Sequence, residues 1–312
     1  MHVAFTASDL SNFYFGWRGS QAFGTTLSPG IGSTTSFALR LGSQAVGFSA
    51  SSTAQRYEFL LIQRVTGGFI LMRTAATGAW NLIAVERISS GSTFYPMFYN
   101  DAATASSAGV LHFLRVPVQL WTPTPIVSDS FVRADSSSIG STDGAGDVVL
   151  GGGGFAWSEV VGDSAISSNA LAVDASGGIA VVDSGQANVL VDCTLTPDAT
   201  ARGIAFRVSD ATNFWRCTIT SGGVLNISKV VNGSATSVAN TTGVTTGSNQ
   251  RLQVTADGNT VSAIYFGAST PTRITGSDAF NNTATKHGGY QATIANFCVW
   301  PRSIVYPYEL AA

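Results

Sequence analysis

Carboxylates two residues apart on a β-strand share one face. Two of them within reach of one sugar can hydrolyse a glycosidic bond, one as nucleophile and one as acid. A Glu-x-Asp-x-Glu run would supply that pair. The chain has four glutamates, Glu58, Glu86, Glu159 and Glu309, and none stands in such a run. Nucleophilic catalysis needs a serine or cysteine with an activating histidine. The histidines are His2, His112 and His287, and no Gly-x-Ser-x-Gly elbow accompanies them. His2 is terminal, His112 lies in an apolar strand, and His287 sits in a Gly-containing turn. Hydrogen-bonded structural roles are expected for the latter two, and no enzymatic activity is expected.

Metal chemistry has one candidate. Asp143-Gly144-Ala145-Gly146-Asp147 places two carboxylates in a glycine-rich loop, where calcium could be held with loop carbonyls. Asp143 and Asp147 would be the ligands, but no Asp-x-Asp-x-Asp-Gly array is present and a plain acidic turn is the expected reading. The cysteines, Cys193, Cys217 and Cys298, are odd in number and widely spaced. They form neither a disulfide framework nor a zinc site. Cys193 shares strand parity with Val189, Val191 and Leu195, and Cys217 with Trp215 and Ile219, so both are expected in a core. The Gly151–Gly154 run has no following Lys-Ser/Thr, so it is expected to be a loop and not a phosphate cradle.

A sugar is bound by aromatic faces flanked by polar groups. Trp215 with Arg207 and Lys229 is the best such combination, followed by Tyr265 and Tyr290; packing in a core is the alternative for the tryptophans. Phe13-Tyr14-Phe15-Gly16-Trp17 is more apolar than a solvated terminus. Phe13, Tyr14, Phe15 and Trp17 are therefore expected to dock, on their own domain or on a partner chain.

These residues must be held by strands. Charged residues make up 11 % of the 312, well below the roughly 25 % of an average domain. Net charge is −2 and no basic block exists, so nucleic acid is not an expected partner. No apolar run is long enough for a membrane helix, so no membrane partner is expected. The first residues lack a basic n-region, so no secretion signal is expected. No helical period persists. Short β-rich runs follow one another instead, divided by Gly, Asn, Asp and Ser, which predicts a sandwich or barrel.

Strands are predicted at Tyr57–Arg64, Gly68–Arg73, Trp80–Glu86, Phe94–Tyr99 and Val110–Val116, and again at Ala187–Leu195, Gly203–Val208, Phe214–Thr220, Val224–Val231, Arg251–Thr255, Thr260–Phe266 and Ala295–Trp300. Asn232-Gly233 is a strong hairpin signal, because both positions of that turn need positive φ. Trp121-Thr122-Pro123-Thr124-Pro125-Ile126 is a stiff connector. The reading is a β-rich N-terminal domain over 1–121, a Pro-containing linker over 122–127, a sandwich over 128–301 and a tail over 302–312. The N-terminal domain is sandwich-like and shorter. It is either a truncated sandwich completed by a neighbouring chain or a smaller fold.

Ser128-Asp129-Ser130-Phe131-Val132-Arg133-Ala134-Asp135, then Ile139–Gly144 and Trp157, resemble the opening of laminin-G-like, concanavalin A-like jelly rolls of phage virion and bacterial surface proteins. Arg202–Asp210 with Asn213-Phe214-Trp215, Leu225–Val230, Thr285–Tyr290 and the closing Asn296-Phe297 fit the same order. The resemblance implies an all-β antiparallel jelly-roll sandwich whose last strand pairs beside its first. It also implies a non-enzymatic virion structural protein, a fibre, baseplate or capsid decoration subunit, self-associating as a homo-oligomer such as a trimer. Its partners would be other virion proteins and host-surface glycan, and its location the virion or the extracellular space. The alternative is a secreted bacterial lectin or adhesin. No cofactor is expected, and calcium on Asp143 and Asp147 is the one candidate.

Overall fold

The computed structural model describes residues 124–143, 154–267 and 271–304 and ten N-terminal strands, with side chains in the latter described at 58–62, 69–73 and 80–85. All named elements are strands, and among the described residues there is no helix. The chain divides into two compact units, Met1–Pro123 with Ser303–Ala312, and Thr124–Arg302.

The first unit holds β1 (His2–Ala7), β2 (Phe13–Arg18), β3 (Leu27–Ser33), β4 (Phe37–Gly42), β5 (Gln44–Gly47), β6 (Arg56–Arg64), β7 (Gly67–Arg73), β8 (Trp80–Glu86), β9 (Tyr95–Asn100) and β10 (Gly109–Arg115). One antiparallel sheet runs β10-β1-β6-β7-β8 and a second β5-β4-β3-β2-β9. β3 lies against β6 and β7, so the two sheets form layers. The apolar runs of β6 and β7 are buried on both faces, with Phe59, Leu60, Leu61, Ile70 and Leu71 all buried, and Leu82 of β8 is buried with them. Glu58 is also buried. Arg73, directly opposite it, donates Nε to its carboxylate at 2.8 Å and lies 4.5 Å from the Trp80 ring centre.

The second unit holds β11 (Val127–Asp129), β12 (Trp157–Val161), β13 (Ser164–Ser167), β14 (Ala170–Val173), β15 (Ile179–Asp183), β16 (Val189–Leu195), β17 (Arg202–Asp210), β18 (Asn213–Ile219), β19 (Leu225–Val231), β20 (Ser234–Thr241), β21 (Gln250–Asp257), β22 (Thr260–Phe266), β23 (Pro271–Ser277), β24 (Lys286–Tyr290) and β25 (Thr293–Pro301). Ser303–Ile304, β26, pairs with β8 of the first unit's sheet.

Two sheets face each other in the second unit. One runs β13-β14-β25-β16-β21-β22-β23 with β11 beside β25, the other β12-β15-β24-β17-β18-β19-β20. Every pairing of named strands is antiparallel. Between them lies one core with Val189, Val191, Cys193 and Leu195 from one sheet and Ile204, Phe206, Trp215, Cys217 and Ile219 from the other. Cys193 and Cys217 are core side chains, as their parity required.

The ends of the unit meet. Val127, Ser128 and Asp129 pair with Val299, Cys298 and Phe297. Asp129 is buried and saturated with donors: Arg133 Nη1 at 2.8 Å and Nη2 at 3.1 Å, Trp157 Nε1 at 2.8 Å and the Phe131 backbone N–H at 2.9 Å. Phe131, Trp157 and Phe297 stack around it with ring centres 5.6 and 5.2 Å apart. The Ser-Asp-Ser-Phe-Val-Arg opening is thus a closure device. Asp129 caps the turn while the aromatic rings seal the gap between the sheets.

The structure differs from the sequence reading at His287, which lies in strand β24, Lys286–Tyr290, and not in a turn. Gly288 and Gly289 mimic turn punctuation, but the reason for them is close approach. A Cβ on Gly288 would lie 2.0 Å from the Ala180 carbonyl oxygen of β15. At Asn232-Gly233 the signal holds: both φ angles are positive, 50° and 78°, and the pair joins β19 to β20.

Candidate functional site

The sequence-predicted sugar-binding residues do not form a surface. Trp215, Arg207 and Tyr265 have no exposure. Trp215 points into the core, stacks on Phe206 and donates Nε1 to the Phe280 carbonyl at 2.7 Å. Lys229 lies directly across from it, at the end of the sandwich that the 278–285 loop covers, and is paired with Asp278. That ion pair, with a backbone N–H from Phe280, holds the Asp278 carboxyl below the usual range.

Arg207 is drawn inward by a register shift. β17 is irregular between Phe206 and Asp210, and Arg207 itself has φ 47°. The bulge turns its side chain to the interior. There Nε donates to the Ala187 carbonyl at 3.0 Å, Nη1 to the Gly258 carbonyl at 2.7 Å and Nη2 to Asn188 Oδ1 at 2.9 Å. Its backbone N–H donates to His287 Nδ1 at 3.2 Å, so the proton of this imidazole sits on Nε2, which donates to the Gln186 carbonyl at 2.8 Å. Burial, with the Arg207 charge beside it, pushes the His287 pKa down to about 4. His287 is a neutral structural residue with both nitrogens engaged.

The carboxylates are also committed. Asp143 accepts from the Ser130 backbone N–H at 2.6 Å and lies 3.8 Å from Arg133, so it braces the opening turn. Asp147 lies outside the described residues. Among the described residues no three His, Cys, Asp or Glu side chains cluster to hold a metal. Glu159 accepts from the Ser164 N–H at 2.9 Å, and Glu58 is spent on Arg73. The side chains of Phe13, Tyr14, Phe15 and Trp17 also lie outside the described residues; their backbone forms β2, paired with β3 and β9.

A different set of residues is brought together. In β18 the core takes Trp215, Cys217 and Ile219, so Phe214, Arg216 and Thr218 must face the other way. Register extends that outer face across the sheet. Arg216 stands opposite Ser228, and Thr218 opposite Asn226. Asn226 in turn stands opposite Asn240, and Ser228 opposite Ser237. On the other side Ala205 flanks Arg216, and Gly203 lies between Thr218 and Tyr290.

The polar groups on this face are ordered. Arg216 Nε donates to Ser228 Oγ at 3.0 Å. Its Nη1 donates to the Tyr290 hydroxyl, and its guanidinium lies 4.9 Å from that ring's centre. Asn240 Nδ2 donates to Ser237 Oγ at 3.2 Å, and Ser237 donates to Asn226 Oδ1 at 2.8 Å. Ser237 and Asn240 are exposed, while Arg216 and Asn226 are half-buried. Beneath them Ile179, Val181, Ala205, Val208, Phe214, Val230 and Tyr290 form a second apolar cluster on the same sheet. Of the predicted residues only Tyr290 belongs here, and it serves as the floor on which Arg216 rests. The signal for the others was present: each neighbours a core residue of opposite parity.

The closure of β11 on β25, the two facing antiparallel sheets and the core between them define the second unit as an antiparallel jelly-roll β-sandwich. No family model and no curated protein matches the chain. Solved structures similar to it include the carbohydrate binding module CBM66 from Bacillus subtilis, at 17 % identity and TM-score 0.35, over 47 % of this chain and 93 % of that one. The GH43 BlXynB protein from Bacillus licheniformis is similar at 9 % identity and TM-score 0.34, over 86 % of this chain and 72 % of that one. Domains LG4-5 of the mouse laminin alpha1 chain follow at 7 % identity and TM-score 0.26, over 98 % and 88 %. The fold assignment rests on strand order and register, and no activity carries over at these distances.

Proposed function

We propose that this protein is a non-catalytic carbohydrate-binding β-sandwich, and that the outer face of β18, β19 and β20 is its contact surface. One observation carries the reading: the Asn240–Ser237–Asn226 chain of side-chain hydrogen bonds lies beside the Arg216–Ser228 pair on a pleated, strand-supported face. Amides and hydroxyls at strand spacing offer alternating donors and acceptors, the pattern needed to bind sugar hydroxyls. Sites built on strands are held more rigidly than sites on loops. The test is a glycan array probed with the full chain and with an Asn226→Ala/Ser237→Ala double variant. Binding by the parent that the variant loses supports the reading; an array that stays blank overturns it.

A second reading, a subunit of a phage virion or other extracellular assembly, is favoured by the pairing of Val127–Asp129 with Phe297–Val299. Termini brought side by side let a module be strung or inserted without disturbing its core. On this reading the chain is a homo-oligomer, a trimer in the fibre case, and light scattering after size exclusion decides it. A monomer at micromolar concentration removes the oligomeric form.

A further inference from the structure

We infer that the saccharide bound on the β18–β20 face is acidic, and that Arg216 receives its carboxylate or sulfate. This rests on the carbohydrate reading above.

This chain has few cations, and most of the described ones are matched; Arg273, on β23 of the other sheet, has no acidic partner among the described residues. Arg73 pairs with Glu58, Arg133 with Asp129, Arg202 with Asp198, Lys229 with Asp278, Arg251 with Asp192 and Arg302 with Asp257. Lys286 shares the outer face with Arg216 and stands opposite Asp183. Arg207 spends its donors on three oxygens in the interior.

Arg216 has none of these arrangements. Its acceptors are the neutral hydroxyls of Ser228 and Tyr290. Its neighbours on the face are Ala205 and Ser228 across the strands, and Phe214 and Thr218 along its own strand; none is acidic. A guanidinium has five N–H donors, and two are used here. The ring of Tyr290 and the Ser228 hydroxyl fix its plane, so a ligand need not order a free side chain. Half-burial strengthens the pull on an incoming anion relative to a fully solvated lysine. The exposed Ser237 and Asn240 lie on the same face, where they can take the hydroxyls of the same sugar.

The experiment is a glycan array carrying neutral, uronate-bearing, sialylated and sulfated glycans. It is followed by titration of the best binder against the parent, Arg216→Gln and Arg216→Lys. Acidic glycans bind and neutral ones of the same backbone do not. Arg216→Gln weakens binding about tenfold or more, the scale of a lost charge-assisted hydrogen bond, and Arg216→Lys falls between. Raising the ionic strength weakens the parent's binding, a readout that does not depend on how the variants fold. The uronate and sulfate arms identify which anion is taken. Equal binding of neutral and acidic glycans, indifferent to salt, overturns the acidic ligand and leaves the carbohydrate reading standing. Binding to no glycan overturns both.

Discussion

Asp129 stands directly opposite Phe297, the first strand of the second unit against its last, and the carboxylate of Asp129 gathers the Arg133 guanidinium and the Trp157 indole N–H beneath it. The closure of the sandwich therefore depends on a buried charge whose partners come from two separate segments.

Asp129→Ala leaves Arg133 and Trp157 without their common acceptor. The cost expected for breaking a buried, hydrogen-bonded ion pair is about 3–5 kcal/mol. Asp198→Ala removes the partner of Arg202 at a site where the Asp198 side chain is 47 % exposed, and is expected to cost about 1 kcal/mol or less. Calorimetric melting of the full chain checks both. Equal shifts would remove the special role given to Asp129.

His287 makes the second unit sensitive to acid. Its pKa is about 4 in the folded chain against 6.5 when unfolded. Above pH 6.5 the residue is neutral in both states and its contribution is constant. As pH falls from 6.5 towards 4 the unfolded chain takes up the proton first, so stability is lost across that window and levels off below it. At about 1.4 kcal/mol per unit the loss is about 3 kcal/mol. Urea titrations over this range for the parent and for His287→Gln test it; a variant with the same acid slope contradicts the assignment.

Gly288→Ala places a methyl group against the backbone of β15 and is expected to prevent folding of the second unit. Gly222→Ala is the control. Its nearest obstruction is Thr220 Oγ1 at 3.8 Å, so it should change stability by less than about 1 kcal/mol. Soluble yield and near-ultraviolet dichroism distinguish them, and a folded Gly288→Ala protein would show that β24 does not press on β15 as described.

Trp215→Ala opens a large cavity and strands the Phe280 carbonyl. A loss of about 3–5 kcal/mol is expected, whereas Arg216→Gln, one residue away, should change stability little. Thermal melts of the two variants separate a core residue from a surface one. The reverse order would exchange the faces of β18 and move the site.

The strand positions were legible because short apolar runs in β6 and β7, and apolar residues recurring at alternate positions in β16 and β18, are bounded by turn residues. β3 to β5 were missed because glycine and serine dilute their pattern, and the aromatic run of β2 was read as a docking segment and not as a strand. β24 was missed because its glycines look like a turn until the neighbouring carbonyl is seen. The burial of Trp215, Arg207 and Tyr265 was hidden for a similar reason. Trp215, Arg207 and Tyr265 have the right chemistry for sugar, but chemistry does not reveal which side of a sheet is covered. Parity alone would have moved the choice from Trp215 to Arg216. The inward turn of Arg207 was beyond parity, because a bulge reverses the face of one residue without marking the sequence.

The most direct test of the carbohydrate surface is a two-dimensional NMR titration of the full chain with the best glycan found on the array, following the side-chain amides of Asn226 and Asn240 and the Nε–H of Arg216. The account predicts that these three resonances shift together, saturably, while the indole N–H of Trp215 stays still. Movement of the Trp215 indole, or of another face of the molecule with these three unchanged, contradicts it.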